Sequence, residues 1–219
     1  MKKYKLLIIT IFLILIMSVV EIFIKPNYVI KSTIKIICFF VIPLLIAYKD
    51  KNINIKSFLK FSKKSIRVAL GLGILIYLII IGSYYVLNNY FDFGNIVSSL
   101  NETLKINKSN FIFVALYISF VNSLLEEFFF RGFIFTNFKT KFSRKYTYIL
   151  SSLLFSLYHI SIMNNWFNVW LIMFALIGLF IGGLIFNYFN EKENNIYVSW
   201  LIHMFANFGI NTIGFILLV

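Results

Sequence analysis

The chain has 219 residues and a formal charge of +13, and it is 60% hydrophobic, 20% aromatic and only 13% charged, with a mean hydropathy of +0.87. A soluble domain is roughly half apolar with about a quarter of its residues charged, so this composition excludes a water-soluble globule and leaves room for several membrane spans but no sizeable extramembrane domain. The basic excess has no soluble face on which to build a nucleic-acid groove and fits cytoplasmic loops against an anionic inner leaflet, while Cys38, the single cysteine, excludes an intramolecular disulfide.

The first apolar run, Leu6–Val20, follows Lys2, Lys3 and Lys5 as the core of a signal peptide does. No small-x-small cleavage site closes it, because the chain continues Met17-Ser18-Val19-Val20-Glu21-Ile22. It reads as an uncleaved first span. Further runs at Ile34–Tyr48, Val68–Leu87, Phe111–Phe135, Tyr148–Met163, Val169–Tyr188 and Ile196–Val219 bring the total to seven, within a range of six to eight. A spanning helix needs about 20 mainly apolar residues, and these lengths predict an all-α polytopic membrane helix bundle. The second run is short and contains Pro43, which predicts a kink. Between the second and third runs, Asn54–Ser65 mixes Ile55, Phe58, Leu59 and Phe61 with lysines, the pattern of an amphipathic helix lying on the inner leaflet. In the sixth run Gly178 and Gly182 form a small-xxx-small pair that predicts close helix packing.

With a cytoplasmic N-terminus, sixteen Lys and Arg residues fall in inside segments, and five (Lys25, Lys31, Lys35, Lys105 and Lys108) fall outside. That asymmetry sets the expected topology. Heavy use of Lys, Asn, Ile and Phe points to an AT-rich bacterial genome and so to a bacterial cell membrane. The expected organisation is a stretch of N-terminal spans with a basic loop, residues 1–110, followed by a helical core, 111–219, in which the chemistry lies.

An ionisable group inside hydrocarbon costs at least ~2.5 kcal/mol on insertion scales, so each one requires a reason. The fourth run contains Glu126, Glu127 and Arg131. The fifth contains His159 and the seventh His203, the only two histidines of the chain. Glu127 and Arg131 stand at i and i+4 in the acid-before-base order that favours an ion pair. Glu126, rotated about 100° from Glu127, is free to point elsewhere. Ser119 and Asn122 extend a polar stripe from Glu126, and His203, Asn207 and Asn211 repeat every fourth residue to form another. Phe155 lies one turn before His159 on the same face. With the three runs centred near Leu124, Leu157 and Asn207, Glu126 and both histidines fall at similar depth, within roughly 6 Å of the midplane.

Glu126-Glu127-Phe128-Phe129-Phe130-Arg131 matches an EExxxR motif, Phe155–His159 matches FxxxH, and His203–Asn207 matches HxxxN. In this order, on separate apolar runs, the three motifs resemble those of the CPBP family of intramembrane proteases, which includes the type II CAAX prenyl endopeptidase and bacterial Abi-type proteins linked to bacteriocin immunity. The resemblance covers the chain from Phe111 onward, and the first hundred residues carry no family mark beyond their spans. It implies that Glu126 and His159 position and deprotonate a water, and that His203 and Asn207 donate to the oxyanion. It assigns Glu127 and Arg131 a structural ion pair, with Phe155 as a wall of the site. The family has been described both as metal-free, glutamate-dependent enzymes and as metalloproteases. No cofactor is required in the first case, and Zn2+ or another divalent ion held by Glu126, His159 and His203 in the second, as an open three-ligand site. No HExxH helix is present.

The expected partners are a peptide or membrane-protein substrate and an anionic inner leaflet, with no nucleic acid. Two other classes compete. A catalytically silent membrane scaffold or bacteriocin-immunity protein would bind a partner through the same bundle and be indifferent to Glu126→Gln. A proton- or ion-coupled transporter also uses intramembrane Glu and His, but it usually carries internal repeats and broken helices, which this sequence lacks. Asn211 and the many other Phe residues read as packing.

Overall fold

A computed structural model describes residues 3–53, 55, 58–59, 63–91, 93, 110–163 and 169–218. Seven helices in it are long and apolar enough to cross a membrane: α1 (Lys3–Ile24), α2 (Tyr28–Lys49), α3 (Ser65–Leu87), α4 (Phe111–Phe138), α5 (Arg144–Met163), α6 (Val169–Glu193) and α7 (Tyr197–Leu218). No strand accompanies them among the described residues. The chain is an all-α, multi-pass membrane bundle.

Most helices run past the apolar stretches that announce them, because backbone hydrogen bonding in a helix does not stop where hydropathy falls. The largest extension is at α2. Lys25 adopts a left-handed conformation (φ 44°) that ends α1. Pro26 follows, and the Asn27 side chain then accepts a hydrogen bond from the Ile30 N–H at 3.0 Å, an N-cap that starts α2 at Tyr28. The apolar run alone begins six residues later, at Ile34. Lys35, expected in an outside loop, thereby lies two turns inside a spanning helix. Pro43 does not break α2. A π-helical turn at Ile37–Val41 ends two residues before it, a local change of pitch of the kind by which a helix accommodates the N–H that proline lacks.

Burial follows one stripe per helix. In α1 the buried residues are Leu6, Thr10, Leu13, Ile14 and Met17, the i, i+4, i+7, i+8, i+11 spacing of a single face. Ile8, Phe12 and Leu15 on the opposite side are exposed, as suits residues in contact with acyl chains. The core beneath is aromatic. Phe39 of α2 stacks on Phe129 of α4 with ring centroids 4.1 Å apart, and Phe130, Phe133, Phe155 and Tyr158 pack around them.

α7 lies along α3, where a Cβ at Gly73 would come within 2.5 Å of the Phe205 ring. α5 and α6 meet through Gly183, where a Cβ would approach Ser152 to 2.9 Å, whereas Gly178 and Gly182 have open space beside them. The small-xxx-small pair thus faces away from the bundle. The close approach uses the adjacent glycine, one residue round the helix, which turns toward α5 instead. Half of Asn54–Ser65, the expected amphipathic segment, lies outside the described residues. Phe58 within it is buried against Gly132 and Phe128, and its carbonyl accepts from the Ile196 N–H at 3.0 Å, pinning this segment to the start of α7.

Candidate active site

α4 changes helical pitch on both sides of its paired glutamates. Tyr117–Asn122 and Phe128–Phe135 are π-helical, and Ser123–Glu127 between them is α-helical. Wide turns of this kind are concentrated at functional sites, where the extra residue re-aims side chains. Glu126 and Glu127, about 100° apart on a regular helix, are both turned into the protein, 1% and 0% exposed.

Glu126 is the centre of the site. Its Oε1 accepts from Asn122 Nδ2 at 3.0 Å and from Lys35 Nζ at 2.5 Å. Its Oε2 is buried without a hydrogen-bond partner among the described residues. It stands 3.7 Å from His159 Nε2 and 3.7 Å from His203 Nε2. That separation is too long for a direct hydrogen bond and short enough for one water to bridge.

The far nitrogen of each imidazole explains its orientation. His159 Nδ1 donates to the Phe155 carbonyl one turn back on α5, at 2.8 Å. His203 Nδ1 donates to Glu127 Oε1, also at 2.9 Å from Arg131 Nη1. Both rings therefore present Nε2 to the Glu126 carboxylate. Such second partners fix tautomer and ring direction. The expected Glu127–Arg131 ion pair is formed, fully buried, and through its contact with His203 it reaches into the site as well as holding α4. Phe155 is a wall, packed edge-on against His159 and His203 with centroids 4.7 and 5.7 Å away and beneath the Arg131 guanidinium at 4.1 Å. Phe186 of α6, without a sequence signal of its own, completes this wall by stacking on His203.

Lys35 is the residue that sequence reasoning missed. Its ammonium is 2.6 Å from Asn122 Oδ1 in addition to Glu126, and Asn122 donates to the same carboxylate oxygen, so the three side chains close a ring. The rings of Phe39 and Tyr158 flank the ammonium at 5.7 and 5.2 Å. The available signals were the Ile34–Tyr48 run, whose second residue is Lys35, and Asn27 as an N-cap after Pro26, which extends α2 upstream and sets Lys35 two turns inside it. Four ionised side chains then balance, Lys35 against Glu126 and Arg131 against Glu127. Relocating Lys35 and Arg131 out of the loop tally leaves fifteen basic residues inside (16 − 1) and four outside (5 − 1), so the asymmetry is unchanged.

Asn207 lies one turn beyond His203 and donates its amide to the Ile118 carbonyl of α4 at 3.1 Å. Asn211, one turn further, donates to Ala115 O and Ser119 Oγ at 3.2 and 3.0 Å, a packing role as expected. The common depth of the three central residues arises differently from the sequence picture. Glu126 is near the middle of α4, but His159 is four residues from the end of α5 at Met163 and His203 six from the start of α7 at Tyr197. Helix offset, rather than equal position along each span, brings them together.

A divalent ion was an alternative occupant. A zinc site needs its ligand atoms about 2 Å from one point, and among the described residues no group of three His, Cys, Asp or Glu side chains is so placed. The Lys35 ammonium on the same carboxylate adds a positive charge where the ion would need a negative one.

A sequence profile for the Rce1-like family, described as type II CAAX prenyl endopeptidase Rce1-like, matches residues 108–209. The match covers just under half of the chain and contains Glu126, Glu127, Arg131, His159, His203 and Asn207. No curated protein and no solved structure matches the chain. The match over residues 108–209, which hold the buried glutamate–histidine cluster, supports assigning this chain to the CPBP/CAAX protease family.

Proposed function

We propose that the chain is an intramembrane endopeptidase that hydrolyses a peptide bond with a water activated by Glu126 and His159, without a metal. The observation that carries this reading is the unpartnered Oε2 of Glu126, buried and equidistant at 3.7 Å from two imidazole Nε2 atoms. Hydrolysis needs an activated water, a stabilised tetrahedral oxyanion and a proton for the departing amine. Water between Glu126 Oε2 and His159 Nε2 is polarised by both acceptors. Glu126 takes its proton as oxygen attacks the carbonyl carbon, and the same carboxyl returns that proton to the amine when the C–N bond breaks.

Oxyanion stabilisation falls to His203 and Asn207. His203 Nδ1–H is committed to Glu127, so Nε2 is the ring atom turned to the oxyanion and donates to it when it carries a proton, the charge of the oxyanion itself offsetting that of the ring. Asn207 offers the amide hydrogen that Ile118 does not take. Substrate reaches the site from the bilayer as a peptide or a membrane-protein segment. The loop charges put the N-terminus in the cytoplasm against an anionic leaflet, in a bacterial membrane.

The test compares wild type with Glu126→Ala and His159→Ala at equal expression, reading the host membrane peptidome for a missing product. Purified protein in liposomes is offered internally quenched peptides with and without an S-prenyl cysteine, in the presence and absence of a strong chelator. Both variants are expected to lose the product and the chelator to have no effect. Identical peptidomes for wild type and Glu126→Ala would leave a partner-binding scaffold as the reading, and chelator-sensitive cleavage would restore the metal.

A further inference from the structure

We infer that Lys35 is a positioning residue of the site, holding the Glu126 carboxylate by Oε1 so that Oε2 alone faces the two imidazoles. This rests on the proposed hydrolysis, since it assigns a role within the same chemistry. The family profile begins at residue 108 and so does not contain Lys35, which enters from α2.

The first argument is energetic. An ammonium at a helix interior is costly in hydrocarbon. A buried ion pair is commonly no more stabilising than apolar residues of the same volume, so packing gives no reason for lysine here. Phe39 and Tyr158 flank the side chain and would accept a methionine in its place. What methionine would not supply is a charged donor at 2.5 Å from Oε1 and 2.6 Å from Asn122 Oδ1.

The second argument is geometric. A carboxylate has two chemically equivalent oxygens, and rotation about its terminal torsion is soft. Lys35 and Asn122 both bond Oε1, and Asn122 is itself oriented by Lys35, because its Oδ1 accepts from the ammonium while its Nδ2 donates to Glu126. The ring breaks the equivalence. Oε1 is saturated, Oε2 has no partner among the described residues, and the free oxygen is the one 3.7 Å from both Nε2 atoms. A base held this way needs no reorientation before taking a proton, the kind of pre-positioning whose loss costs orders of magnitude in rate.

The test uses the full chain in liposomes and the quenched peptide, prenylated or not, that wild type cleaves. Lys35→Met keeps the stem and removes charge and donor; Lys35→Arg keeps both. Lys35→Met is expected to lower kcat per folded molecule by about a hundredfold with KM within about twofold, and Lys35→Arg to retain at least about a tenth of wild-type kcat. Equal rates for the Met and Arg variants would mean that the residue only fills space and would overturn the inference. A second measurement does not depend on turnover. Thermal unfolding in detergent should show Lys35→Met destabilised and the double variant Lys35→Met/Glu126→Gln restored, because neutralising the carboxylate removes the unpaired charge. A double variant no more stable than Lys35→Met also overturns it. Should Glu126→Ala cleave like wild type, the proposed hydrolysis fails; should Glu126→Ala be silent and Lys35→Met fully active, only the Lys35 assignment fails.

Discussion

At the scale of single residues, the site is a lesson in what each buried polar atom is doing. Glu127 pairs with Arg131 as its i, i+4 spacing requires, yet its Oε1 is shared with His203 Nδ1. One oxygen therefore serves both the fold and the tautomer of a site histidine. Glu127→Gln is expected to cost stability as well as rate. It leaves the fully buried Arg131 uncompensated, a change worth about 3–5 kcal/mol, readable as a lower melting temperature in detergent. It also weakens the acceptor that orients His203 through Nδ1, so residual activity in the folded fraction should fall through kcat and leave KM alone. Unchanged stability in this variant would show that Arg131 finds its compensation elsewhere. EExxxR made the ion pair legible in the sequence. The His203 contact was not, because a spacing rule reaches only along one helix, and His203 comes from another.

Among the helices, close packing is decided by which glycine faces a neighbour. Gly178 and Gly182 carry the familiar spacing but meet open space, while Gly183 meets Ser152 backbone and side chain. Gly183→Val should overpack the α5–α6 seam, at a cost of about 1–3 kcal/mol, and push α5 with His159 away from Glu126. Gly182→Val should change stability by less than about 0.5 kcal/mol, like other substitutions away from packed contacts. Melting curves of the two variants, measured side by side, check this; equal destabilisation would contradict the packing described. Periodicity identifies the stripe of small residues but not its direction, since every face of α6 is apolar and hydropathy alone does not distinguish lipid from protein. The π-helical turns of α4 and α2 escaped for a related reason. Each is a one-residue change of pitch, with no residue type reserved for it, and it is fixed by the helices packed alongside.

For the whole molecule, the proposed orientation rests on the charge asymmetry of the loops, which survives the relocation of Lys35 and Arg131 into the membrane. Single cysteines introduced in a Cys38→Ser background test it. Lys51→Cys, exposed after α2, should be shielded from an impermeant maleimide in intact cells, and Tyr90→Cys, exposed after α3, should be labelled. The reverse pattern would invert the topology. The native thiol at Cys38 is buried, so it is itself shielded from the reagent, and its removal only guards against stray labelling.

Hydropathy and length by themselves determined seven spans, and the types and spacings of Glu126, Glu127, Arg131, His159 and His203 pointed to the spans for which we propose the chemistry, because charge in hydrocarbon is too costly to occur without a reason. What only the tertiary structure decided is how those groups face one another. Lys35 reached Glu126 across 91 positions of sequence, and Glu127 reached His203 across 76. Such contacts depend on helix offset, pitch and neighbour, which emerge when seven apolar helices settle their packing together and are written in no local pattern.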